Sequence, residues 1–249
     1  MTTAVRLQEI NPYIRYVNDY QPQISYTEVP RILYDYELMY VREGSVKLHF
    51  DGNTYVLKKD DLFLLSPHKK NYITVAKEMK FRTHCIHFDF IQLPEKYNFT
   101  AQEAYIDCTL SVSKRFPTIA HRTNFCPNDF LDVRYLPAQS SSDVLAELFN
   151  RAYFLYLRND SVSALELKGV LLEILSAALR RKNPEISTPV HPQIQQAIMW
   201  INSNYATPIK VCELAKQFGF SPKYFGTLFL HTTGYSVNQY VIIVISSSR

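Results

Sequence analysis

Residues 211–230, VCELAKQFGFSPKYFGTLFL, decide how this chain is read. Val211, Leu214, Ala215 and Phe218 recur at the spacing of one helix face, so a short amphipathic helix is expected there. Gly219 follows at the position where a helix ends in the left-handed conformation that glycine adopts without steric cost. Ser221-Pro222 then restarts the chain as an N-cap followed by proline at the first helical position. In the new helix Phe225, Leu228 and Phe229 point inward, and Gly234 closes it. Two short helices with a small residue at their crossing and a glycine turn between them describe a helix-turn-helix. The outward positions of the second helix are Lys223, Tyr224, Gly226, Thr227, Leu230 and His231. That face carries no acidic residue, which suits a helix lying among phosphates in a major groove. An αα-hairpin in an ordinary helical core is the competing reading.

Working outward, Ile194, Ala197, Ile198, Ile201 and Tyr205 build one face of a supporting helix. KNPEISTPVHP (182–192), with three prolines among polar residues, reads as an interdomain linker. Two helical stretches precede it, Asp143 to Arg158 and Ser163 to Arg181, parted by Asn159-Asp160. Leu165, Leu172, Leu175 and Leu179 form a heptad-like seam, widened by Leu167, Leu171, Ile174 and Ala178. A helix with so broad an apolar surface can cover a core with one side and pair with a second subunit through the other.

The first half of the chain follows a different period. ELMYVREGSVKLHFDGNTYVL carries two turn signals, Glu43-Gly44 and Asp51-Gly52, between β-rich runs. Val46, Leu48 and Phe50 alternate with Ser45, Lys47 and His49, giving one buried and one wetter face. DLFLLSP (61–67), NYITVA (71–76) and FRTHCIHFDF (81–90) add further short strands. Short strands and tight turns, with no helical stretch before about residue 140, predict a sandwich or small barrel. Residues 1–20 show no clear period and read as an extended arm; residues 92–139, rich in proline and scattered aromatics, are the least legible.

Composition bounds the compartment and the partners. The chain has 249 residues, 47% of them hydrophobic, which is ample for packed cores. Its net charge is +4, and from His191 onward Lys210, Lys216, Lys223 and Arg249 face Glu213 alone, a sign of an anionic partner for that quarter. Cys85, Cys108, Cys126 and Cys212 form no C-x-x-C pair and no metal-ligand spacing, so they read as reduced thiols of a cytoplasmic protein. No stretch is apolar for long enough to span a membrane, and MTTAVRLQEI has no secretory apolar region.

The order of these parts resembles the AraC/XylS family of bacterial transcription regulators. The segments that carry the resemblance are YELMYVREGSVKLHFDGNTYVLKKDDLFLLSPH (36–68) and IKVCELAKQFGFSPKYFGTLFLHTTGYSVNQYV (209–241), the second with A-x-x-x-G-x-S-P-x-x-F-x-x-x-F and Gly234. The resemblance implies an α+β chain: a cupin-like β-barrel with helical dimerisation elements, then a small all-α helix-turn-helix domain. It implies an arm and effector-binding barrel over 1–139, a dimerisation segment over 140–182, a linker over 183–192 and a DNA-binding domain over 193–249. Family members carry two helix-turn-helix units, whereas this chain stops 15 residues after Gly234 and continues as VIIVISSSR (241–249), apolar where the family is polar. The expectation is therefore a regulator with one such unit, with a truncated effector-binding dimer that no longer grips DNA as the alternative.

On the second helix of the motif, Lys223 and His231 are the expected backbone contacts, and Tyr224 and Thr227 the base readers. Ser221 sits where helix N-terminal amides favour a phosphate, and Gly226 allows close approach. In the barrel, Arg31, Tyr36, Arg42 and His87, with the aromatic-rich arm that carries Tyr13, Tyr16 and Tyr20, are the candidate contacts to a small polar effector such as a sugar. A metal-dependent cupin enzyme is the rival reading, suggested by His49, His84 and His87. His84 and His87 lie three apart, so a strand would point them to opposite faces, and no metal or other cofactor is expected. No catalytic triad order, nucleotide-binding glycine loop or carboxylate pair stands out, so the chain does not read as an enzyme. The expected partners are double-stranded DNA, a small polar effector and a second copy of the chain, with no membrane.

Overall fold

The computed structural model describes residues 2–22, 25–77, 80–100, 106–107, 117–131, 133–138, 144–183, 191–205 and 207–247. The chain divides into two compact units, 1–183 and 184–249. The first unit contains strands β1 (Thr2–Val5), β2 (Tyr13–Tyr20), β3 (Arg31–Ile32), β4 (Tyr36–Phe50), β5 (Asn53–Lys58), β6 (Leu62–Leu65), β7 (Lys70–Thr74), β8 (Phe81–Asp89), β9 (Ile106–Asp107), β10 (Asn124–Pro127) and β11 (Tyr135–Leu136). Two long helices follow, α1 (Val144–Arg158) and α2 (Ser161–Lys182). The linker expected over 183–192 falls mostly outside the described residues.

The long strand β4 organises the β architecture. Its first half, Tyr36 to Gly44, pairs antiparallel with β6 on one side and β8 on the other, and β2 and β11 extend that sheet. Its second half, Ser45 to Phe50, pairs with β5 and β7, and β3 and β9 extend a second sheet. One strand can serve both sheets because it bends at Val41–Gly44, where the register with β8 shifts. Gly44 holds φ +77°, and a Cβ there would lie 1.7 Å from the Lys80 carbonyl oxygen. Glu43-Gly44 is thus a bend inside a continuous strand and not the turn its sequence suggests. Asp51-Gly52 is a true hairpin turn, with both residues at positive φ, 50° and 81°. The segment expected to be an arm is instead built in: β1 runs parallel to β10, and β2 pairs with β8 along its length.

Alternation along the strands separates two cores. Met39, Val41, Val46, Leu48, Phe50, Phe63, Leu65, Ile73, Phe81 and Cys85 pack between the sheets. Tyr36, Leu38, Tyr40, Leu62, Leu64, Ile86 and Phe88 face the other way and are covered by α1 and α2. On α1 the buried residues are Leu145, Leu148, Phe149, Ala152 and Leu155, one helical stripe, and the Phe149 ring stacks on Tyr40 at 5.0 Å. Asn159 at φ 51° ends α1, and Asp160 caps α2 by accepting from the Val162 and Ser163 amides. The leucine seam of α2 divides: Leu175 is buried, whereas Leu165 is 71% and Leu172 41% exposed.

The second unit is helical: α3 (Pro192–Asn204), α4 (Val211–Gln217), α5 (Pro222–Thr233) and α6 (Val237–Ser247). Ile194, Ala197, Ile201, Leu214, Ala215, Phe225, Phe229 and Val237 form its core. Gly219 and Gly234 hold φ 79° and 76°, and the Ser221 hydroxyl accepts from the Tyr224 amide at the start of α5. Among the described residues no helix is long and apolar enough to cross a membrane.

Replacing Gly44 with alanine should destabilise the first unit by roughly 2 kcal/mol or more, because strain at positive φ adds to a backbone clash. Chemical denaturation of the variant measures this, and Gly52→Ala, whose Cβ meets nothing within 4 Å, is the milder control.

Candidate functional site

A cavity of about 310 Å³ opens into the β domain. Its wall combines Tyr16, Asn18 and Tyr20 of β2, Tyr26 and Glu28 of the following loop, and Arg31 of β3. Glu37 and Met39 of β4, Ile73 of β7 and Cys85 of β8 complete it. Glu37, Met39 and Cys85 are there by simple alternation, since each shares the inward face of its strand with the core between the sheets.

The polar floor of the cavity belongs to a longer chain of buried charges. Arg31 Nη2 donates to Glu37 Oε2 at 2.8 Å and its Nε to Asn71 Oδ1 at 3.1 Å, with Glu28 Oε1 at 3.5 Å. Glu37 Oε2 lies 3.6 Å from His87 Nε2, and His87 Nδ1 lies 3.3 Å from Asp35 Oδ1. Asp35 Oδ2 is 3.5 Å from Arg15 Nη1, Arg15 Nη2 donates to Asp89 at 2.5 Å, and Asp89 also takes Arg122. The guanidinium carbons of Arg15 and Arg122 lie 4.2 and 5.0 Å from the Phe99 ring centre. Of the residues in this chain only Glu28 is more than marginally exposed. Burial pushes the carboxyls of Asp89 and Glu28 up, against the pull of their arginines, and together with the neighbouring Glu37 carboxylate pushes the Cys85 thiol well up.

A bulge in β2 makes this arrangement possible. Ile14 pairs with Phe88 and Tyr16 with His87, leaving Arg15 as the extra residue. The bulge delivers Arg15 to the charge chain and Tyr16 to the cavity wall, although they are adjacent in sequence. Tyr16 also meets the Tyr156 ring of α1 edge-on at 5.9 Å, which joins the cavity wall to the helical layer.

The sequence-expected effector residues fall in four places. Arg31 lines the cavity, and His87 lies one step behind it against Glu37. Tyr36 faces the opposite core, its ring 4.9 Å from Phe90 and 6.0 Å from Phe88, and burial pushes its hydroxyl up. Arg42 sits at the bulge of β4, 3.6 Å from Asp19 and 3.1 Å from His84 Nε2. Tyr16 and Tyr20 of the aromatic-rich segment line the cavity, whereas Glu28, Glu37, Arg15 and Asp35 were missed. The available signal was Glu37 itself, a charge inside the apolar run YELMYV.

The three histidines do not converge. His49 stacks on Tyr72 at 4.3 Å, and His84 faces α1, its ring 5.6 Å from Tyr153. Among the described residues no group of three or more His, Cys, Asp or Glu is disposed to hold a metal ion. A larger cleft of about 580 Å³ lies between β2 and the α1–α2 turn, lined in part by Tyr13, Arg15, Gln92, Tyr156 and Lys168. Its carboxylate, Asp160, is engaged in capping α2.

In the second unit Lys223, Tyr224, Thr227 and Leu230 are exposed along α5, while Gly226 is half-buried. The Tyr224 ring leans on Phe220 at 5.7 Å, and the Thr227 hydroxyl donates to the Lys223 carbonyl. The side chain of His231 lies outside the described residues.

Comparison with known proteins finds one family, described as the AraC-like ligand binding domain, matching residues 11–175. No curated protein matches the chain. Solved structures with similar parts include the polyketide cyclase RemF from Streptomyces resistomycificus, at 12% identity and TM-score 0.31 over 45% of this chain and 75% of that one. KdgF from a Halomonas species matches at 13% identity and TM-score 0.26, over 32% of this chain and 79% of that one. A cupin-like protein from Thermotoga maritima matches at 15% identity and TM-score 0.28, over 32% and 67% respectively. None of these superpositions is close enough to bear on function.

His84 generates a pH prediction. Burial, with the Arg42 guanidinium beside it, lowers its pKa to about 4. The unfolded imidazole, at about 6.5, therefore takes a proton over a range where the folded one does not. The stability this gives is present above pH 6.5 and is lost as pH falls toward 4. It amounts to about 2 kcal/mol lost by pH 5. Melting temperatures at pH 7 and 5 should differ more for the wild type than for His84→Gln; equal falls would contradict the assignment.

Proposed function

The chain belongs to the AraC-like ligand-binding domain family, and from that premise we propose that it is an effector-controlled transcription regulator. The observation that carries the reading is the cavity at Arg31 and Glu37, a polar site of ligand size inside the matched segment. The effector is a small polar molecule held by charged side chains and tyrosines. The helical unit at 184–249 is the DNA-binding part. Two short helices meet there through Gly219, with Ala215 buried between them and Ser221 capping the second. Its α5 presents Lys223, Tyr224 and Thr227 to solvent with no acidic neighbour on the helix.

The working form is a homodimer. Leu165 and Leu172 are exposed on the same helix whose other face is core, and Val144, Leu172 and Ala177 border a shallow groove between α1 and α2. Nonspecific DNA binding lies at roughly 10⁻⁴ to 10⁻⁶ M near physiological salt. Pairing two copies on half-sites spaced by whole helical turns supplies the specificity.

Two readouts on the full chain test this. Light scattering at micromolar concentration should give twice the 29.0 kDa chain mass, and a monomer would remove the dimer. Selection from randomised duplexes should recover a preferred sequence. Lys223→Ala should weaken binding to all sequences and flatten the salt dependence, whereas Tyr224→Ala or Thr227→Ala should relax one or two base pairs, each worth about 1–3 kcal/mol. Failure to enrich any sequence would end the regulator reading.

A further inference from the structure

The charges around the cavity do not balance. The connected chain holds four carboxylates, Glu28, Glu37, Asp35 and Asp89, against the guanidinium groups of Arg31, Arg15 and Arg122. Asp35 and Asp89 are matched by Arg15 and Arg122 at the far end. At the cavity Glu28 and Glu37 share Arg31, two carboxylates to one guanidinium.

That sharing also decides what Arg31 can do. Its Nη2 is engaged by Glu37 at 2.8 Å and its Nε by Asn71 at 3.1 Å. An anionic ligand at Arg31 would sit beside Glu37 and Glu28, where two carboxylates repel it. The cavity instead wants donors. Glu37 Oε1 is buried without a hydrogen-bond partner of ordinary geometry, and the Cys85 thiol near it is a weak donor at best. A neutral polyol would satisfy that oxygen but leave the buried charge standing, which a low-dielectric wall makes costly. Tyr16, Tyr20 and Tyr26 add ring faces and phenol oxygens, surfaces that attract cations.

We propose that the ligand of this cavity is a small organic cation, a protonated amine whose N–H groups reach Glu37 and Glu28 while its body lies among the three tyrosines. The proposal rests on the reading of this cavity as the effector site and names the chemistry of that effector. About 310 Å³ lies near the lower end of ligand pockets and suits a small metabolite.

The test uses the full chain and probes that share a skeleton but differ in charge. D-glucosamine, D-glucose and D-gluconate form one set; putrescine, butane-1,4-diol and succinate form another. Thermal shift and calorimetric titration should show stabilisation by at least one of the two amines and none by its neutral or anionic counterparts. Glu37→Gln should weaken that amine's binding by about tenfold or more, the loss of a charge-assisted hydrogen bond. Should Glu37→Gln fold poorly, Glu28→Gln at the rim should give the same direction of change. Stabilisation by glucose or butanediol equal to that by the amines would overturn the cation while leaving the effector site in place. Preference for gluconate or succinate, or no shift with either amine, would overturn it as well. The dimer and DNA readouts are independent of all these outcomes.

Discussion

The ion pair between Arg31 and Glu37 is the constraint on which the β domain turns. Both side chains are removed from water, and an isolated buried charge would cost several kcal/mol. Each is therefore held by further groups: Arg31 by Asn71 and Glu28, Glu37 by the chain that runs through His87 and Asp35 to Arg15, Asp89 and Arg122. These residues come from β2, β3, β4, β7, β8 and the loops around them, so the pair ties both sheets together at one level. Apolar residues of the same volume would pack there at no penalty. A polar core in that place makes sense if the open end of the chain has something to bind.

The backbone is shaped to serve this floor. The bulge at Arg15 turns two adjacent residues of β2 inward, and the bend at Gly44 lets β4 contribute to both sheets. On the reverse of the same strands, Tyr40, Ile86 and Phe88 carry α1 and α2. The cavity wall and the helical layer are consequently two faces of one sheet, with Tyr16 touching Tyr156 between them.

Local rules explain how much of this could be read in advance. Asp51-Gly52, Asn159-Asp160, Gly219-Ser221 and Gly234 each mark a boundary because positive φ or a capping oxygen suits few residues, and the structure uses each one so. The alternation of Val46, Leu48 and Phe50 likewise matches their burial. Strand β2 escaped because its bulge breaks the period and places a charged residue inward. Glu43-Gly44 misled because a glycine at positive φ serves a bend in a strand as well as a turn. The charge chain was invisible because its members are spread from Arg15 to Arg122, and only the pairing of strands brings them together. Tyr36 looked like a ligand contact but alternates to the helical face, one residue away from Glu37, which lies on the cavity.

The central claim is that Arg31 and Glu37 act as one unit inside the β domain. A double-mutant cycle with Arg31→Met and Glu37→Leu, followed by denaturant unfolding, measures it directly. Each single variant should lose about 3 kcal/mol or more, having left a buried charge without its partner, and the double variant should recover most of that loss. If the two losses simply add, the pair is not coupled, and the account of the cavity floor is wrong.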